Sequence, residues 1–305
     1  MLKKIKSLIN IQRSLPRQLS KLENAIAEQK ILSAKSLVNT FDYSLDLPIA
    51  SYEFKVFSQW GDDGIIQYLV SRIDIPNKTF IEFGVENYTE SNTRFLLINN
   101  NWSGLVIDGS SSNIEQIKHS ELYWKYDIKA LNAFITRENI NELILSSDFA
   151  KDVGILSIDI DGNDYWVWHA ITVIDPVIVI IEYNSIFGPD RPWTVPYGPD
   201  FYRTAAHYSN LYFGSSLLSL CDLAEKKGYF FVGCSSSGNN AYFIRKDKIG
   251  MVKKQEPHTG FVLSKFKESR SADGGLTYIS GETRLATLKG MPVFNTRTLQ
   301  TEIIE

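Results

Sequence analysis

A chain of 305 residues has room for one large domain with appendages and can bury a sizeable core. Apolar residues at 44% and charged residues at 22% are the balance of a globular protein rather than a disordered or fibrous one. A net charge of −3 gives no electrostatic reason to expect nucleic acid as a partner, and two cysteines, Cys221 and Cys234, outside any C-x-x-C pattern argue against a disulfide framework or a zinc site and fit a reducing cytoplasm.

The opening MLKKIKSLINIQRSL is basic, but Lys6, Ser7, Asn10, Gln12 and Arg13 interrupt its apolar residues, so it lacks the continuous apolar core of a signal peptide. No run reaches the ~18 apolar residues that a membrane span needs, and the expected location is the cytoplasm. Within residues 1–37, Leu2, Ile5, Ile9 and Ile11, then Leu19, Leu22 and Ile26, recur at helical spacing, with Pro16 breaking the pattern. Such a segment packs on its own domain, pairs with a second copy in a homo-oligomer, or lies on a membrane surface. Residues 1–50 as a whole read as a helical extension and linker.

From residue 51 the pattern alternates. An amphipathic helix is expected over Asp62–Ile73, with Asp62 as a candidate N-cap. Strand-like runs follow at 79–85, 104–108, more weakly near 129–136, then at 153–160 and 177–183. Helix patterns separate them, one opened by a Ser112-x-x-Glu115 capping box and one by Thr136. Alternation of this kind predicts a parallel sheet with helices on both faces, the runs 153–160 and 177–183 lying at its centre. Residues 185–214 are aromatic and proline-rich with little periodicity, the character of a functional insertion. A helix over 215–227 stops at Gly228, and 229–234 with 241–247 form an antiparallel hairpin. The main domain is thus 51–250, followed by a C-terminal extension of mixed pattern, 251–305.

The stretch ILSIDIDGNDYW (155–166) carries Asp159, Asp161 and Asp164 just past an apolar run. A calcium loop of the EF-hand kind fails, because counting from Asp159 puts Asp164 where Gly is needed and Ala170 where Glu is needed. The D-x-D-G motif is like the nucleophile motif of haloacid-dehalogenase-type phosphatases, but here three strand-like runs precede it and the next run ends in Glu-Tyr-Asn. The third possibility is the carboxyl rim of an open α/β sheet, where ligands bind. Asp159 and Asp161 then point the same way, and Glu182 and Asn184 repeat the arrangement one strand on. These oxygen ligands suit a hard divalent metal such as Mg2+; helix capping by Asp161 or Asp164 is the structural alternative. On the first strand, Glu82 and Gly84 stand at the carboxyl end without the rest of a G-x-G-x-x-G cradle, and Asp108 ends the second strand where a carboxylate can take both hydroxyls of a ribose. A ribose acid without a phosphate cradle suits S-adenosylmethionine. His207, beyond the insertion, is a candidate general base, and His169 is expected in the core.

FSQWGDDGII (57–66), FIEFGVEN (80–87), GLVIDGS (104–110), LSIDIDGNDYWVW (156–168), IIEYNSIFGP (180–189) and FGSSLLSL (213–220) together resemble the class I S-adenosylmethionine-dependent methyltransferases, FkbM-type and related sugar O-methyltransferases of bacterial polysaccharide clusters above all. The resemblance implies a Rossmann-like methyltransferase fold, with a mostly parallel seven-stranded sheet ending in an antiparallel hairpin. It implies S-adenosylmethionine as cofactor, with Gln59, Glu82, Gly84, Asn92 and Asp108 around it, and a saccharide, nucleotide-sugar or glycoconjugate acceptor. Asp161 and His207 are the candidate catalytic groups, and Asp159, Asp161, Glu182 and Asn184 the candidate ligands of a divalent cation. One departure is clear: Glu86–Thr89 lack the second glycine usual in the family's first turn. A non-catalytic scaffold of the same fold in a glycan-modifying complex is the alternative from a different functional class.

Overall fold

The structure is a computed structural model that describes residues 2–42, 45, 47–149 and 151–305, with backbone alone at 2–13, 16, 17 and 20. The chain divides into two compact units, Met1–Asp46 and Leu47–Glu305. The first is built on α1 (Leu2–Val38), which continues through Pro16 instead of stopping there. The proline removes the bond its nitrogen would donate to Gln12 and its ring crowds that carbonyl, a local cost that long helical runs on both sides override. Leu15, Leu19, Leu22 and Ile26 are exposed along α1, while the side chains of Leu2, Ile5, Ile9 and Ile11 lie outside the described residues.

The second unit is an α/β sandwich. Its strands and helices run α2 (Asp62–Arg72), β1 (Thr79–Phe83), α3 (Arg94–Asn100), β2 (Ser103–Asp108), α4 (Ser111–His119), α5 (Glu121–Lys125), β3 (Ile128–Asn132), α6 (Ile140–Leu145), β4 (Ile155–Ile158), α7 (Asp164–Ala170) and β5 (Ile178–Glu182). After the insertion come α9 (Leu217–Lys227), β7 (Tyr229–Cys234) and β8 (Asn240–Arg245), the insertion itself holding β6 (Trp193–Thr194) and α8 (Arg203–Ala206). The seven-stranded sheet has the order β3-β2-β1-β4-β5-β8-β7. β1 to β5 pair in parallel, β8 is antiparallel to β5, and β7 is antiparallel to β8. That order, with its closing hairpin, is the Rossmann-like methyltransferase fold. β4 and β5 are apolar on both faces because helices cover both, and their residues 155–158 and 178–181 are buried throughout. The strand order reverses between β1 and β4, which opens a crevice outside their carboxyl ends.

Local signals shift slightly in the folded chain. Ser110, not Ser112, caps α4, its hydroxyl accepting from the Asn113 amide at 3.3 Å. Thr136 and Asn139 bond reciprocally ahead of α6, so the turn that opens that helix needs both. Asp62 is the first residue of α2 rather than its cap, and its carboxylate turns to β8.

Residues 251–305 belong to the same unit as the sheet. They add α10 (Pro257–Gly260), α11 (Glu282–Ala286), β9 (Pro292–Asn295) and β10 (Gln300–Ile303), and β10-β9-β6 form a small antiparallel sheet with the insertion. Phe187, Val195, Leu211 and Tyr212 of the insertion share a second apolar core with Leu288, Val293 and Ile304 of the extension. Between these elements an extended strap crosses the carboxyl end of β5 and the turn that leads into β8. The Ser264 amide donates to Ser185 Oγ at 2.9 Å and the Lys265 amide to Ser237 O at 2.7 Å.

Candidate functional site

A cavity of about 830 Å3 lies along the carboxyl ends of β1, β2, β4 and β5. Glu82 sits at its back, buried near the end of β1. Its Oε1 accepts from the Asn92 amide at 2.8 Å, and its Oε2 from Ser91 Oγ and Thr93 Oγ1, each at 2.5 Å, and from the Thr93 amide at 3.1 Å. Burial raises the Glu82 carboxyl, and the hydroxyl and amide donors pull it back. Glu82 therefore folds the loop 84–93 against its own strand. Asn92, expected to meet a cofactor, donates from Nδ2 to Ser157 Oγ at 3.1 Å and lines the cavity.

Gly84 is held to glycine by space. Its φ is +70°, and a Cβ would lie 1.7 Å from the carbonyl oxygen of Asp159. The absent second glycine is made good by residues that accept its conformation: Glu86 and Tyr88 have φ of 48° and 63°. Both are pinned, the Glu86 amide donating to Asp108 Oδ2 at 2.8 Å and the Tyr88 hydroxyl bonding Thr93 Oγ1 at 2.9 Å. Asp108 also accepts on Oδ1 from the Ser110 amide at 2.8 Å and Asn113 Nδ2 at 3.1 Å, beside Gly109 and Phe134 in the cavity wall.

Gln59 is exposed on the rim. Its loop is shaped by Asp63, whose Oδ2 accepts from the amides of Val56, Phe57 and Ser58 at 2.7, 2.7 and 2.9 Å. Burial still pushes the Asp63 carboxyl up to about 6. Asp62 accepts from Asn240 Nδ2 at 2.9 Å and from the Tyr242 hydroxyl at 2.5 Å, tying α2 to the hairpin.

The opposite wall is acidic. Beyond β4 the chain turns sharply, with Asp161 at φ 56° and Gly162 so close to Phe201 that a Cβ would lie 2.2 Å from its ring. Asp164 makes the turn, accepting from the Ile160 and Gly162 amides at 2.9 Å each, which leaves Asp161 free of that task. One ligand oxygen each from Asp159, Asp161 and Glu182 lies within 4.8 Å of the others. Burial, then the neighbouring carboxylates, raise Asp159 and Glu182 well above the usual carboxylate range. Arg203 partly offsets this charge: its Nη1 lies 2.5 Å from Asp161 Oδ1, its Nε donates to Asn210 O at 2.9 Å, and its guanidinium sits 3.9 Å over the Phe213 ring. Glu182 Oε2 is buried without a hydrogen-bond partner among the described residues. Hard oxygen donors, an orphaned acceptor and negative charge in excess of one guanidinium fit a divalent cation of the magnesium or calcium kind.

Several expectations change here. Asn184 is committed elsewhere: its Nδ2 donates to Leu211 O at 2.9 Å and Phe213 O at 3.0 Å, and its oxygen caps the short helical turn at Ile186, so it anchors the insertion. His207 is absent from the cavity wall; its Nδ1 bonds Ser209 Oγ at 2.7 Å and its ring lies against Tyr208. His169 is exposed rather than core, because Val167 and Trp168 take the buried side of the last turn of α7 and leave His169 on the solvent side. The aromatic residues of the insertion divide. Trp193 bonds Glu302 and Tyr197 bonds Glu138, so both pack the insertion down, whereas Tyr202 and Arg203 line the cavity. Sequence reasoning missed the strap. Ser264, Phe266, Glu268 and Arg270 face the cavity at every second position, with Lys265 and Lys267 turned outward. The signal was that alternation, in a segment with no other strand character.

No family profile and no curated protein matches the chain. Among solved structures, TrmK of M. capricolum in complex with S-adenosyl-homocysteine is 10% identical, with a TM-score of 0.35 over 59% of this chain, and the chain spans 65% of that protein. The N-terminal domain of EvdMO1 with S-adenosyl-homocysteine bound is 12% identical (TM-score 0.40; 71% of this chain, 94% of that one). A S-adenosylmethionine-dependent methyltransferase from Aquifex aeolicus is 10% identical (TM-score 0.36; 67% and 97%). These likenesses are faint, and the fold is defined by its strand order and connections.

Proposed function

We propose that the protein is an S-adenosylmethionine-dependent O-methyltransferase acting on a saccharide hydroxyl, with a divalent cation at Asp159, Asp161 and Glu182. The observation that carries this is the distribution of charge in one cavity. The end near β1 and β2 is lined by Glu82, Glu86, Glu90 and Asp108, and every cation lining the cavity, Arg203, Arg270 and Arg284, lies at the other end. Lys55, outside the lining, pairs with Glu90 at 2.9 Å, and the remaining carboxylates, with no lysine or arginine in the wall at this end, disfavour a diphosphate and accommodate an adenosine that carries a sulfonium and an ammonium group. In this reading Asp108 at the end of β2 takes ribose hydroxyls, and Gly84 lets the backbone approach the cofactor.

The acceptor end combines carboxylates and the amides of Asn163 and Asn210 with the exposed aromatic rings of Tyr202 and Phe266, a surface suited to a polyhydroxylated ring. A bacterial surface polysaccharide or glycoconjugate precursor is the substrate class this favours. When bound, the cation supplies Lewis acidity that lowers the pKa of the acceptor hydroxyl. Methyl transfer forms a carbon–oxygen bond as the sulfur–carbon bond breaks, and the hydroxyl proton must leave. No histidine lines the cavity among the described residues, so a carboxylate of the acid trio receives that proton. The test is mass spectrometry of saccharide acceptors incubated with the protein, S-adenosylmethionine and Mg2+. Transfer of one methyl group, abolished in Asp161→Asn, is expected; transfer that survives chelation would remove the cation from the scheme.

A second reading, a non-catalytic scaffold of the same fold, draws on the fact that Glu82 and Asp108 already accept hydrogen bonds on both oxygens. Cofactor binding without turnover on any acceptor would favour it. We also propose that α1 self-associates. The exposed Leu15, Leu19, Leu22 and Ile26 repeat at the alternating four-three spacing of a coiled-coil seam. Light scattering on the full chain and on residues 47–305 tests this, and equal monomeric masses would refute it.

A further inference from the structure

The acceptor end of the cavity holds an imbalance of charge. Arg203 is paired with Asp161, and Arg270 is paired with Glu268, Nε to Oε1 at 3.0 Å. Arg284, half-buried on α11, has no carboxylate partner among the described residues. Its guanidinium donates instead to the strap, Nη1 to Phe266 O at 2.8 Å and Nη2 to Glu268 O at 3.4 Å, and its Nε is buried without an acceptor among the described residues. Burial lowers its pKa, and the neighbouring charge of Arg203, of the same sign, adds to this. A half-buried cation facing another cation is unfavourable by itself. It becomes favourable when a ligand brings the missing anion, which a guanidinium receives on two donors at once.

We infer that Arg284 and Arg270 of the C-terminal extension form a subsite for an anionic group, a phosphate ester or a carboxylate, carried by the substrate. That this group belongs to the methyl acceptor rests on the methyltransferase reading; that the subsite binds an anion does not. The acceptor is then a charged saccharide, held by its anion at the strap with a hydroxyl presented at the acid trio.

The test is isothermal titration of the full chain with sodium phosphate and, separately, with sodium acetate at constant ionic strength. One of the two anions binds the wild-type protein, and Arg284→Gln weakens that anion by roughly tenfold or more. Phosphate binding identifies a phosphate ester, acetate binding a carboxylate. Arg270→Gln leaves both strap bonds of Arg284 in place and serves as the second variant should Arg284→Gln melt early; it weakens the same anion. If neither anion binds, or if both variants bind as the wild type does, the subsite is refuted. A parallel titration with S-adenosylhomocysteine separates the two claims. Its failure overturns the methyltransferase reading and leaves an arginine-dependent anion site standing.

Discussion

Replacing Gly84 by alanine perturbs the point where the proposed cofactor wall and the acid trio meet. The added Cβ would lie 1.7 Å from Asp159 O at a residue whose φ is +70°. The left-handed conformation costs a residue with a side chain about 1–2 kcal/mol. Relieving the overlap requires the carboxyl ends of β1 and β4 to part, and overpacking of this kind costs about 1–3 kcal/mol more. The sum, about 2–5 kcal/mol, corresponds to a fall in melting temperature of roughly 5–15 °C for a domain of this size. Asp159 and the loop 84–93 move with the backbone, so affinity for S-adenosylhomocysteine falls by roughly tenfold or more. Gly109→Ala is the control for stability, since its Cβ would meet only Phe134, at 3.6 Å; binding is compared with the wild type, because Gly109 lines the cavity. Scanning calorimetry and titration check the argument. A Gly84→Ala protein that melts like Gly109→Ala and binds like the wild type would refute it.

Three further outcomes follow from the same geometry. Tyr242→Phe removes a 2.5 Å bond to the fully buried Asp62, leaving that Oδ1 with Asn240 alone, and urea unfolding should register a loss of about 1.5–3 kcal/mol; a loss under about 0.5 kcal/mol would contradict a latch role. Asp63 and Asp164 are raised from 3.8 to about 6, and Asp159 and Glu182 well above their usual range, so the stability these groups contribute is present at acid pH and lost as pH rises through about 6 and beyond. The metal-free melting temperature should therefore be higher near pH 5 than near pH 8, with Mg2+ raising it at pH 8 and not at pH 5; an Mg2+ effect equal at both would sink the cation site. The groups shifted the other way, Glu138, Asp247 and Asp273, are exposed and contribute little. His207→Ala should keep kcat within about threefold of wild type, because His207 is off the cavity wall, and a loss of a hundredfold, the least expected of a general base, would restore it as one.

Strand positions were legible because apolar runs such as 177–183 have no alternative to double burial, and their carboxyl ends marked Glu82, Asp108, Asp159 and Glu182 directly. Partners across the fold were not legible. Nothing local in FSQWGDDG shows that Asp62 will meet Tyr242, 180 residues on, or that Asp63 will gather the three amides before it. Asn184 looked like a ligand from its place beyond β5, yet its side chain serves carbonyls 27 and 29 residues later, a contact set by where the insertion returns. His169 misled because α7 runs for seven residues, too few for apolar spacing to show which side its last turn presents. The strap escaped because its two-residue alternation is satisfied by scattered bonds to loops rather than by a sheet ladder, so no run of β-branched residues announces it.

The central claim is that the acidic end of the cavity, closed by Asp108 at the end of β2, binds the adenosyl cofactor. Isothermal titration with S-adenosylhomocysteine, on the wild type and on Asp108→Ala, tests it most directly. The account predicts one equivalent bound in the micromolar range by the wild type and weakening of at least roughly tenfold in the variant. No binding at millimolar ligand, or binding indifferent to Asp108, would contradict it.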